Sequence, residues 1–231
     1  MLKPMFSTVA ETYDLSNKVL AFGLDKRWRK ACAKESAGGR LVVDLCCGTG
    51  DLSLSIMQNI DDDSFLLALD FNKEMLSKAI AKKSKSKWAG MDNFAFVIAD
   101  AAHLPLKNDS VDTVKISLGL RNLVYRNPNA TAYLKEVTRT LKQHGKFTCV
   151  ETSQPKNRLV RRFFHLYCLK FIPTVGGWVS GRKPAYEYLG RSAANFPGPK
   201  DILAMFTNAG FTDTDFKPLS FGIVGLYSAT K

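Results

Sequence analysis

Val42-Val43-Asp44-Leu45-Cys46-Cys47-Gly48-Thr49-Gly50-Asp51 decides how this chain folds. Its first half is apolar, β-branched and short, as a buried strand is. Its second half is a turn of small residues, after which Asp51-Leu52-Ser53-Leu54-Ser55-Ile56-Met57 resumes with helical spacing. Strand, glycine turn and helix open the nucleotide-binding half of a doubly wound α/β sheet. Two residues argue against a dinucleotide. Ser53 stands where the third glycine of G-x-G-x-x-G belongs, and Asp51 follows Gly50 directly. A pyrophosphate seeks the bare positive end of a helix. A carboxylate there repels it by about 4 kcal/mol at ~4 Å and an effective dielectric of ~20, before screening. Asp44 and Asp51 suit a ligand carrying a sulfonium and an ammonium, and Gly48 and Gly50 let it lie against bare backbone. S-adenosylmethionine (SAM) fits that description. For the motif alone, a ligand-free turn with an N-cap aspartate explains the residues about as well.

The strands that follow favour the ligand. Phe65–Asp70 is a second apolar run whose aspartate lies twenty residues past Gly50, followed by Phe71. A carboxylate at the end of the neighbouring parallel strand can accept hydrogen bonds from both hydroxyls of a ribose. Phe94–Ala99 leads into Asp100 and Ala101, a carboxylate and a backbone N–H suited to an adenine edge. Val111–Ser117 ends in a small hydroxyl. Each aspartate alone is a common cap or turn residue. Four strands ending in polar residues along one carboxyl edge is the arrangement by which an open α/β sheet holds its ligand.

Size and charge bound the rest. The chain has 231 residues, enough for one α/β domain over 1–231. No run approaches the ~18 apolar residues of a membrane span. The N-terminus lacks a basic–apolar–small signal, which predicts a cytoplasmic protein. Five cysteines without a C-x-x-C predict a reducing compartment and no structural metal. The net charge of +12 favours anionic partners, either nucleic acid or an acidic membrane surface.

Residues 5–38 read as a helical cap of one or two amphipathic helices. Leu15, Val19, Leu20, Leu24 and Trp28 fall roughly on one side, with a break at Phe22-Gly23-Leu24. Residues 73–84 form a helix, and Lys82 to Lys87 a basic, solvated loop. Pro128 opens a helix to Leu141, with His144-Gly145 as its stop, and Lys146–Glu151 is the fifth strand. This alternation implies right-handed crossovers and a parallel sheet. Residues 152–199 are an insertion. Its first helix carries Arg158, Arg161, Arg162 and His165 on one face and apolar residues on the others, which suits a buried lid or an interfacial helix equally. Gly176-Gly177 and Gly181 mark flexible points. A helix over 200–208 and strands around 211–216 and 222–229 close the sheet as a hairpin.

Several stretches now carry a likeness. Tyr13-Asp14 with Trp28, the 44–51 run, Leu118-Gly119-Leu120-Arg121-Asn122, Glu151-Thr152-Ser153-Gln154-Pro155, Tyr188-Leu189, Phe196-Pro197 and the 221–226 run together span nearly the whole chain. On them the chain resembles the ubiquinone/menaquinone biosynthesis C-methyltransferases. The Gly-Thr-Gly turn is shared by many methyltransferases, whereas Gly119-Leu120-Arg121-Asn122 is specific to this family. The chain departs from the family at Leu118 and Thr152, both usually Phe. The resemblance implies a class I, Rossmann-like, SAM-dependent methyltransferase with a mostly parallel seven-stranded sheet. Its implied cofactor contacts are Thr49, Asp70, Asp100, Ala101 and Ser117. Asp44, Cys47, Gly48, Gly50 and Phe71 complete the cofactor set expected here.

The implied reaction methylates a ring carbon of a lipid-soluble prenylated quinol. Carbon is a poor nucleophile until the adjacent hydroxyl loses its proton, so the site needs an oxyanion stabiliser and a base. Arg121, permanently charged, is assigned the first role, beside Asn122. Glu151, Asp14 and His165 are candidate bases, and Tyr13 completes the expected catalytic set. A prenyl tail draws the protein to the inner face of an acidic membrane, where the insertion collects it. A homodimer is compatible with this reading. A nucleic-acid methyltransferase fits the charge but not the apolar insertion, and no Asn/Asp-Pro-Pro-Tyr-type motif is present.

Overall fold

Alternation along each central strand sorts side chains into two layers. The computed structural model describes residues 7–36 and 38–231. Of the expected cap, residues 5, 6 and 37 lie outside the described residues. Among those described, strands β1 (Leu41–Leu45), β2 (Phe65–Asp70), β3 (Phe94–Ile98), β4 (Val111–Ser117), β5 (Leu141–Thr152), β6 (Thr212–Leu219) and β7 (Val224–Thr230) form one sheet in the order β3-β2-β1-β4-β5-β7-β6. The first five are parallel, and β7 runs antiparallel between β5 and β6. Val43, Leu45 and Leu69 pack on one face with α6 (Ala130–Thr140) and α10 (Pro199–Asn208). Val42, Leu66 and Ala68 pack on the other with α3 (Asp51–Ile56) and α4 (Lys73–Ser84). Period-two alternation in strands covered on both faces produces these layers.

The strand order reverses between β1 and β4, the switch point where such sheets bind ligands. Over it lie α1 (Tyr13–Leu20), α2 (Asp25–Lys34) and α5 (Leu120–Val124), and the insertion. The insertion comprises α7 (Arg158–Leu166), a π-helical segment (Tyr167–Phe171), α8 (Ile172–Ser180) and α9 (Lys183–Ala194). Helix α2 is pinned from below. Lys115, fully buried on β4, donates to the carbonyls of Cys32 (3.0 Å) and Glu35 at the helix C-terminus, which the helix dipole favours. Helix α9 approaches the π-helical segment at Gly190, where a Cβ would lie 2.0 Å from the Cys168 carbonyl oxygen.

Several local expectations need correction. His144-Gly145 does not end a helix. The helix ends at Thr140, and β5 starts at Leu141 with an irregularity opposite Val111/Thr113, where His144 N–H donates to Lys231 O and Lys231 N–H to Gly145 O. Gly176 and Gly177 are not flexible points, because both lie within α8 against Tyr186 and Lys183; only Gly181, with φ 69°, ends a helix. Leu15 is exposed and Ser16 buried, so the inward face of α1 is rotated from the expected one. Lys82 and Lys83 belong to the last turn of α4, and neither is merely solvated. Lys83 donates to the carbonyls of Met91 and Phe94.

Candidate active site

The turn after β1 builds the floor of the site. Gly50 (φ 80°) starts α3 in a left-handed conformation, and a Cβ there would sit 3.0 Å from that of Ala79. Gly50 thus shapes the turn but lines neither cavity beside it. Gly48 lines both, next to Cys46.

The larger of these cavities, about 360 Å³, follows the ends of β2, β3 and β4. Asp70, Phe71, Asp100, Ala101 and Ser117 line it, as the strand ends predict. Asp70 is held rigidly: its Oδ2 accepts from Gly48 N–H and its Oδ1 from Asn72 N–H, both at 2.9 Å. Burial pushes its carboxyl up, opposed by those backbone bonds. Asp100 Oδ1 accepts from Ala102 N–H at 2.9 Å.

A narrower cavity continues toward Asp44, Cys47, Thr49 and Asp51. Asp44 is fully buried, accepts from Ser53 Oγ, and keeps Oδ1 without a partner. Burial, with the negative charge of Asp70 adding to it, pushes its carboxyl up to about 7. Ser117 Oγ is likewise buried without a partner. These unmet groups, with Asp70 and Asp100, fit a ligand carrying hydroxyls and positive charge.

Asp51 differs from the expectation, because cations already hold it. Lys82 Nζ bonds its Oδ1, and Arg29 Nη1 lies 3.4 Å from Oδ2. Lys82 also pairs with Asp14 at 2.9 Å, while Thr49 Oγ donates to Asp14 Oδ1 at 2.6 Å. Asp14 therefore fastens α1 to the glycine turn, lines none of the three cavities and has both oxygens engaged.

The third cavity, about 150 Å³ and mostly apolar, lies between α1, α2, α5 and the insertion. Trp28 lines it and donates to Ser220 Oγ at 2.8 Å, so the ring is part of the cavity wall as well as the core. Arg121 lines it too. Its Nη1 meets Glu151 Oε1 at 3.0 Å and Thr152 Oγ at 3.3 Å, its backbone N–H donates to Glu151 Oε2 at 2.9 Å, and its Nε has no partner. Glu151 is fully buried beneath Arg121 and lines no cavity, so the geometry makes it a holder of Arg121 and not a base facing substrate. His165 Nε2 is 2.9 Å from Gln154 Oε1, outside the cavities. Asp25 lines the apolar cavity, 5% exposed. Nothing in the residue pattern singles it out, since an acid in a first helical turn is ordinary.

Tyr13 and Leu118 line all three cavities, and Asn122 lines the two larger ones. Leu118 holds φ 56°, a conformation uncommon for leucine, at the point where the chambers meet. Burial pushes the Tyr13 hydroxyl up, against a hydrogen bond from Asn17 and the charges of Arg29 and Arg121, which keeps it a neutral donor. The site is therefore an acidic chamber beside an apolar one, with three side chains lining both.

The family model described as the ubiE/COQ5 methyltransferase family matches residues 1–231. The ubiquinone/menaquinone biosynthesis C-methyltransferase UbiE of Geobacter sulfurreducens is 35% identical over 233 residues, covering 100% of this chain and 88% of that one. Its counterpart from Rickettsia felis is 35% identical over 235 residues, covering 100% and 92%. Among solved structures, a SAM-dependent methyltransferase from Thermotoga maritima aligns over 100% of both chains with a TM-score of 0.68 at 16% identity. Human N-acetylserotonin methyltransferase in complex with SAM aligns over 94% of this chain and 55% of that one, with a TM-score of 0.63 at 16% identity. At such identity these two likenesses concern the fold.

Proposed function

The chain belongs to the ubiE/COQ5 methyltransferase family, and on that premise we propose that it transfers a methyl group from SAM to a ring carbon of a reduced, prenylated quinol. The observation that carries the proposal is the wall of Tyr13, Leu118 and Asn122 shared by the acidic and apolar chambers. Asp70, Asp100 with Ala101, Ser117 and Asp44 are the residues suited to hold SAM, which supplies an electrophilic methyl on a sulfonium. Arg121 brings a permanent positive charge to the apolar chamber, where a ring oxygen losing its proton becomes negative. In that low-dielectric setting a fixed charge is worth far more than in water. Glu151 and Thr152 fix its orientation. Asn122 and Tyr13 offer neutral polar groups where the ring meets the methyl donor, and the surrounding helices exclude water.

Methyl-labelled SAM incubated with the protein and a demethylated, prenylated quinol under reducing conditions should place the label on a ring carbon. Label on oxygen, on another lipid or on nucleic acid would replace this function with that one.

The lid supports a membrane-surface location for the encounter. Leu159, Phe163 and Leu166 are 63%, 62% and 58% exposed along one stripe of α7, and Arg158, Arg161 and Arg162 are exposed beside them. An apolar stripe edged by arginines suits an acidic bilayer, from which a prenyl tail would enter the apolar chamber. The protein should float with acidic vesicles, and a Leu159→Ser/Phe163→Ser variant should not. Equal flotation of the two would remove α7 from this role.

A further inference from the structure

The reaction needs a group that accepts the proton of the ring hydroxyl; of the candidates visible in the sequence, His165 lines none of the three cavities and the two carboxylates are engaged. Both oxygens of Glu151 accept from Arg121 or Thr152, and both oxygens of Asp14 are taken by Thr49 and Lys82. The other titratable groups lining the apolar chamber are phenols, the Cys168 thiol and Arg121. Asp25 is the one carboxylate lining it among the described residues. Arg29 Nη1 holds Asp25 Oδ2 at 2.6 Å, while Asp25 Oδ1 is buried and without a hydrogen-bond partner. A buried carboxylate oxygen left unmet beside an apolar cavity is costly unless a ligand donates to it. Arg29, shared with Asp51, holds one oxygen of the carboxylate and leaves the second uncovered.

We propose that Asp25 is a catalytic residue, the general base that takes the proton of the acceptor's ring hydroxyl at Oδ1. This rests on the acceptor being a quinol. The O–H bond breaks, its electron pair stays on the ring oxygen under the field of Arg121, and the proton passes to Asp25. That pair drives the adjacent ring carbon onto the donor's methyl carbon, so that a C–C bond would form as the methyl–sulfur bond breaks, its electrons going to sulfur, which leaves as the neutral thioether. The ring carbon's C–H proton then passes to water and that bond's electron pair restores the aromatic ring. Asp25 then returns its proton to the ring oxygen, so one proton is released per turnover and the carboxylate is restored. Arg29 is a positioning residue in this scheme.

Asp25→Asn preserves shape and keeps an acceptor for Arg29. It should lower kcat roughly 100-fold or more, with SAM affinity and the KM for quinol within a few-fold of wild type. The deficit should shrink on a quinol analogue whose hydroxyl is made more acidic by an electron-withdrawing substituent, because such a hydroxyl depends less on a base. Asp25→Glu, which keeps the charge, should recover part of the activity. A kcat within threefold of wild type in Asp25→Asn, or a deficit equal for both quinols in Asp25→Asn and Asp25→Glu, would overturn the role. Wild-type protein that binds SAM but methylates no quinol would overturn the acceptor reading and this inference with it.

Discussion

The acidic chamber and the apolar chamber share a wall but are assembled in different ways. The first is made by strand ends and the backbone immediately after them: Gly48, Asp70, Asp100 and Ser117 each sit where a strand stops. The second is made by helices from four separated parts of the chain, held by contacts such as Tyr167 OH to Leu20 O and Trp28 Nε1 to Ser220 Oγ. A site at a sheet edge inherits its geometry from the ladder, so its residues are positioned locally. A site between helices depends on tertiary packing, so its chemistry rests on pairs far apart in sequence. Perturbations should therefore act as binding defects in one chamber and as coupled stability and turnover defects in the other.

The largest effect is expected in the apolar chamber. Arg121→Ala strands Glu151 as a buried, unpaired charge, so the protein should lose about 3–5 kcal/mol of stability. Arg121→Met combined with Glu151→Leu should regain most of that in denaturant unfolding, yet stay inactive. Recovered turnover in the double variant would remove Arg121 from the chemistry. In the acidic chamber, Asp70→Asn loses a charged acceptor of two backbone N–H groups and should weaken SAM binding by roughly 100-fold by calorimetry, at charge-assisted hydrogen-bond strength. Unfolding there should change much less than in Arg121→Ala, and an equal loss of stability would erase the contrast.

Asp44 gives a pH signature that only the acidic chamber should carry. Its carboxyl titrates near 7 when folded and in the ordinary range of 3.8 when unfolded. Between those values the folded state holds a proton that the unfolded state lacks. This contribution to stability therefore falls as pH rises from about 4 to 7 and is level above. A cationic ligand prefers the ionised form, so SAM affinity should weaken as pH drops below 7, by up to about tenfold per unit. Asp44→Asn should flatten both trends. A wild-type SAM affinity independent of pH between 5 and 8 would contradict the assignment. The smallest effect belongs to the clasp between cap and glycine turn. Lys82→Met removes pairs with Asp14 and Asp51 that are partly solvated, so about 1 kcal/mol of stability is expected to go.

The same contrast governs what the residues alone reveal. The glycine turn, the strand-terminal aspartates and the alternation of strand and helix follow from local pattern, because apolar runs and their polar ends are contiguous. Asp51 and Lys82 were not legible, since a carboxylate near a ligand and a lysine in a basic run give no sign that they meet across 31 residues. Glu151 as a base was misplaced for a similar reason: on β5 it points beneath Arg121, which a strand pattern does not specify. Asp25 looks like an ordinary first-turn acid, and its unmet oxygen exists only once α2 is docked over Lys115. On α7, the sequence left Leu159, Phe163 and Leu166 open between burial and an interfacial role, and the fold leaves them exposed.

If carboxylates at the sheet's switch point receive a sulfonium-bearing nucleoside, titration calorimetry of the wild-type protein with SAM, its demethylated product and a phosphate-bearing dinucleotide will separate the three. Saturable heat with the first two, reduced in Asp70→Asn, and none with the dinucleotide is the expected result. Tight binding of the dinucleotide with no heat from SAM would contradict it.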